Sequence, residues 1–125
     1  MLALTRYGQV KAETGTPRQQ MAALFEAAQG QMRAGIAELE AGRLLPGGNA
    51  LLQAARIVHG LRSVLKPSVA PELCRHLGIV YGFVCIRLNR AVEKRDIAQA
   101  REAAEVFAPV AAAFIELSQR AEVWT

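Results

Sequence analysis

The sequence predicts an all-α chain: an antiparallel up-down-up-down four-helix bundle behind an extended or partly helical N-terminal tail. Three observations predict it. The hydrophobic content is 52% with only 6% aromatic, so the core is built from Ala, Leu, Ile and Val, a palette that favours helices. Four stretches repeat apolar residues at steps of three and four, the period of a one-sided helix. The connections between them are short, which forces consecutive helices to lie antiparallel. With 125 residues the chain suits one core. The reading divides it into a tail over residues 1–16 and a bundle over residues 17–125.

The first helix is predicted from Pro17 to about Ala41. Thr16 serves as N-cap, Pro17 fits the first helical position, and Gln19 closes a capping box three residues after the cap. Met21, Leu24, Phe25, Ala28, Met32, Ile36 and Leu39 form its apolar stripe, and Gly42 stops it. Leu44-Leu45-Pro46-Gly47-Gly48 reads as a connection, because Pro-Gly-Gly extends neither neighbour. The second helix is then expected from Asn49 to Lys66, before Pro67, with a stripe wide enough for more than one neighbour. The third starts at Pro71 and runs to about Glu93. Leu73, Leu77, Val80, Tyr81, Val84, Leu88 and Ala91 make its stripe, while Ile79, Phe83 and Ile86 lie beside or behind it. A helix this apolar is either central or covered by a partner. Gly78 and Gly82, four apart, leave room for another backbone. The fourth helix follows Asp96, an N-cap that Gln99 completes as a capping box. Ile97, Ala100, Ala104, Phe107, Ala111, Phe114, Ser118 and Ala121 form its seam. Pro109 removes the bond to the Glu105 carbonyl and is expected to kink it.

The charge balance is mild: 15 Lys and Arg against 11 Asp and Glu, a net +4. No basic run interleaved with aromatics occurs, which argues against a dedicated nucleic-acid surface. No apolar leader is visible, and Leu77 to Ile86 is too short an uncharged run to span a bilayer, so a cytoplasmic protein without membrane insertion is expected. Cys74 and Cys85 stand about three turns apart on one helix, roughly 16 Å, too far for a disulfide, and are expected as reduced thiols.

Signals for catalysis are poor. There is no phosphate-binding loop, and Cys74-Arg75-His76 has no second cluster to complete a metal site. Neither metal nor cofactor is expected, and the chain reads as a non-enzyme. The pairs Glu38 with Glu40 and Glu102 with Glu105 read as solvated faces. One pattern suggests chemistry: His59-Gly60-Leu61-Arg62-Ser63 resembles the phosphoacceptor segment of histidine phosphotransfer domains, with Ser63 where that segment has Gly. It supplies the alternative reading of phosphotransfer through His59.

The helix order and its local motifs resemble the flagellar export chaperone family FliS. The matching residues are Tyr7 in the tail, Thr16-Pro17 and Leu24-Phe25-Glu26 in the first helix, and Ile57, Val58, Leu61 and Leu65 in the second. Val80-Tyr81, Arg87-Leu88 and Ala91 follow in the third, and Asp96 opens the last. Lys66 stands where the family has Asp, Gln20 where an aliphatic residue is usual, and Trp124 lies later than the family's Trp. The resemblance implies binding of the disordered C-terminal segment of flagellin in apolar grooves, protection from premature polymerisation, and delivery to the flagellar type III export apparatus. The residues expected to touch the client are Leu52, Ile57 and Leu61 on the second helix and Val80, Tyr81, Val84 and Leu88 on the third. Tyr7 and Val10 of the tail are expected to cover the groove until the client arrives. The same surface suits a homodimer, and a helical adaptor for another client is a further alternative.

Overall fold

A computed structural model of the chain describes residues 15–124, with side chains to residue 120. Tyr7, Val10 and most of the tail lie outside the described residues. Four helices follow one another: α1 (Pro17–Glu40), α2 (Leu44–Ser63), α3 (Pro71–Lys94) and α4 (Ile97–Trp124). α1 packs on α2 and α4, and α3 packs on α2 and α4, so the four close a ring in chain order. No strand occurs among the described residues.

α1 begins as its local sequence dictates. The Thr16 hydroxyl accepts from the Gln19 amide at 3.2 Å, and the Gln19 side-chain oxygen accepts from the Thr16 amide at 2.7 Å. Two orphan donors are thereby satisfied at the helix start. Gly42 follows the helix with φ +79°, a left-handed conformation that favours glycine at such an end.

α2 starts five residues before the expected Asn49 and ends at Ser63 rather than Lys66. Two physical facts allow the early start. Pro46 lies in the first turn, where a backbone N–H has no intrahelical acceptor to lose. Gly47 is buried against α1: a Cβ there would stand 2.8 Å from the Leu39 side chain. A Cβ on Gly35 of α1 would stand 2.5 Å from Leu51 and 3.1 Å from the Gly47 carbonyl. These glycines let the hairpin's backbones close on each other, and that contact outweighs their low helix propensity.

α3 keeps the predicted start at Pro71 and ends at Lys94, followed by Arg95 at φ +54°. Asp96 caps α4 by accepting from the Ala98 amide at 3.1 Å. Gln99 does not close the expected box. Its side-chain oxygen instead accepts from the Arg87 guanidinium at 2.8 Å, tying α4 to α3. α4 continues through Pro109, whose ring is exposed.

The core is continuous along the bundle axis. Phe25 stacks on Phe114 at 4.8 Å and on Phe107 at 5.7 Å, and Tyr81 tilts against Phe25 and Phe107 at 6.4 Å. Met32, Leu51, Ile57, Val58, Leu61, Val84 and Leu88 fill the remainder. Leu73, expected in the α3 stripe, lies in the first turn of α3 and is exposed; the buried positions begin at Cys74 and Leu77.

Candidate functional site

α2 and α3 run antiparallel in a register fixed by three contacts. The Cys85 thiol lies 3.6 Å from the Ala55 carbonyl; Val92 and Arg62 lie where side chains on Gly48 and Gly82 would meet them. Burial pushes the Cys85 thiol pKa up, against an opposing pull from the Arg62 charge. Cys74 is also free.

This register determines what the two helices show to the outside. Leu52, Arg56, His59 and Ser63 recur at helical spacing on the outer side of α2; Leu52 is half-buried and the others are exposed. On α3 the outer side carries Ile79, Phe83 and Ile86. Ile79 is 62% exposed, Ile86 is 53% exposed, and Phe83 is half-buried beneath the Arg87 guanidinium, 4.9 Å from its ring centre. At the upper end of the α2–α3 seam a cleft of about 480 Å³ opens between Arg62, Leu65, Cys74, Arg75, Gly78 and Ile79.

Gly78 and Gly82 differ from the hairpin glycines. A Cβ on Gly78 would meet nothing within 4 Å, and one on Gly82 would make only ordinary contact with the Arg62 guanidinium at 3.6 Å. The bundle itself has no steric need for either. Each costs about 0.5–1 kcal/mol of helix stability relative to Ala, and both sit beside the exposed isoleucines.

The structure divides the sequence-predicted contact residues. Ile57, Leu61, Tyr81, Val84 and Leu88 are turned into the core and join α2, α3 and α4. Tyr81 is only 2% exposed, and desolvation pushes its phenol up to about 12. Val80 and Leu52 are half-buried, on surfaces that a partner can reach. Ile79, Phe83 and Ile86 were absent from that set. Their signal was their position off the core stripe of a helix that is apolar on several sides.

A second apolar cleft of about 420 Å³ lies between α1 and α4, lined by Pro17, Arg18, Met21, Phe114, Leu117 and Ser118. His59 stands exposed on α2. Among the described residues no group of three or more His, Cys, Asp or Glu is placed to hold a metal ion, and no helix is long and apolar enough to cross a membrane.

The family model of the flagellar protein FliS matches residues 1–121. The chain belongs to the FliS family. No curated protein matches the chain. Membership in FliS supports a role as a flagellar export chaperone, in a family of chaperones rather than enzymes, with flagellin as the client that the family implies. The FliS match does not extend to the phosphotransfer reading of His59, which rests on a five-residue resemblance alone.

Proposed function

We propose that this protein is a cytoplasmic export chaperone that holds the C-terminal segment of flagellin on the outer face of α2 and α3. It keeps that segment from polymerising early and hands it to the flagellar type III export apparatus. The observation that carries the reading is the exposed pair Ile79 and Ile86, with half-buried Phe83 between them, beside two glycines the bundle does not need. An apolar line at helical spacing next to small residues receives an amphipathic helix, with its anchors at steps of three and four. A client segment that is disordered when free folds as it binds, so part of the gross contact energy is spent in ordering it.

Leu52 and Val80 extend the contact to either side. Ile57, Leu61, Tyr81, Val84 and Leu88 support the face from beneath by fixing α3 against its neighbours. Tyr7 and Val10 cover the face until the client arrives, and a second copy of the chain competes for it at high concentration. Binding and release need no nucleotide.

Titration calorimetry with flagellin tests the reading. Binding of about one chain to one client is expected, and it should vanish when the flagellin C-terminus is removed. Ile86→Asp removes one apolar anchor worth about 2 kcal/mol and should weaken binding more than roughly ten-fold. Because Ile86 lies outside the core, the circular dichroism spectrum should not change. A folded wild-type sample that ignores flagellin would sink the proposal.

A further inference from the structure

Charge on this bundle is divided by helix. Between residues 41 and 95 the chain carries nine Lys and Arg against two carboxylates, and from Ala41 to Pro71 there is no carboxylate at all. The helices on the other half reverse the balance: residues 17–40 and 96–120 carry seven carboxylates against four cations. A net charge of only +4 conceals this separation.

Several cations on the α2–α3 half have no acidic partner among the described residues. Arg75 is offset by Glu72 at 3.0 Å, and Arg43, at the start of α2, is offset by Glu38 of α1. Arg87 turns away toward Gln99 and Glu102 of α4. Arg56 bonds only to the neutral Gln53. Among the described residues, Arg62, Lys66 and Arg90 lie in no ion pair. The apolar line therefore has unpaired positive charge along its edges: Arg90 lies one turn after Ile86, and Arg56 and Arg62 line the α2 side.

We infer that this face selects its client by charge as well as by shape, taking an amphipathic helix whose apolar stripe is flanked by Asp or Glu. The inference rests on the client-binding reading above and adds the sign of the charge that the bound segment must carry. A neutral apolar helix would satisfy Ile79 and Ile86 but leave the unpaired charges of Arg56, Arg62 and Arg90 unanswered around it. Carboxylates beside the stripe relieve that repulsion and steer the encounter. A nucleic acid would use the arginines and leave the isoleucines bare. An anionic membrane would use both, and is the competing outcome.

The test uses the full chain and two synthetic helical peptides with the same Leu stripe, one flanked by Glu and the other by Lys. The Glu peptide should bind at least roughly ten-fold more tightly at low salt, and raising NaCl from about 50 to 500 mM should remove most of the difference. Arg56→Glu combined with Arg90→Glu should abolish the preference, with helicity unchanged because both side chains are exposed. Arg33→Glu, the same charge change on α1, should leave it intact. Equal affinity for the two peptides, or an equal effect from Arg33→Glu, overturns the inference while leaving the client-binding proposal standing. Binding to phosphatidylserine vesicles without preference for the Glu peptide overturns it in favour of a lipid surface. If neither peptide binds and flagellin also fails to bind, both the inference and the reading beneath it fall.

Discussion

Tyr81 shows how one residue can look functional in sequence and prove structural in the fold. It sits in the middle of the α3 stripe, beside Val80, at a position that a client-binding aromatic would suit. In the bundle its ring packs against Phe25 and Phe107, 2% exposed. Replacing it with Asp would put a charge in the core and unfold the chain, so a binding defect in such a variant would say nothing about the surface. Its phenol makes a cleaner prediction. The folded-state pKa is about 12, above the ordinary value of 10, so burial favours the protonated form. The stability tied to this group is complete below pH 10 and is lost as pH climbs toward 12, by about 2–3 kcal/mol for a shift of this size. Denaturant unfolding at pH 8 and pH 11.5 should show Tyr81→Phe losing less stability over that interval than the wild type. Equal losses would mean that Tyr81 ionises freely. Residue-scale burial was only half legible in sequence, because a wide apolar stripe does not say which of its edges faces the core. Tyr81, Val84 and Leu88 lie on the core side, while Ile79 and Ile86, equally apolar, do not.

At the scale of the helices, local chemistry decided most boundaries. Thr16-Pro17 with Gln19, the proline at 71, and Asp96 each marked a start that the structure keeps. The failures came where a distant contact outweighed local preference. Pro46-Gly47-Gly48 reads as a loop because nothing nearby in sequence reveals Leu39 and Gly35 waiting across the hairpin. Gln99 reads as a cap because Arg87 is twelve residues away. The glycines make this distinction measurable. Gly35→Ala should destabilise the bundle by about 1–2 kcal/mol, since the clash with Leu51 and the Gly47 backbone exceeds the gain in helix propensity. Gly78→Ala should stabilise it by about 0.5–1 kcal/mol, since the new methyl meets open space. Thermal unfolding of the two variants checks both signs. If Gly78→Ala destabilised the bundle, an internal role for that glycine would replace the view that it leaves space for a client.

Across the whole molecule, the ring of four helices gives each one two neighbours and one outward side. On α1 and α4 some outward charges pair, Glu40 with Arg101 and Glu116 with Arg120, while Glu38 reaches Arg43 at the start of α2. On α2 and α3 the outward side is apolar in the middle, basic at the edges and nearly free of carboxylates. The four-helix fold was legible because period, caps and short connections all agree. The proposed binding face was less so. It depends on which residues the bundle leaves uncovered and on how charge is distributed among helices, and both emerge only once the ring is closed. Because the proposal places the client on α2 and α3, an amide chemical-shift map of the labelled protein titrated with the flagellin C-terminal segment is the decisive experiment. The largest changes should fall on Leu52, Arg56 and His59 of α2 and on Ile79, Gly82, Phe83 and Ile86 of α3. Changes confined to α1 and α4, around the cleft between Met21 and Phe114, would contradict it.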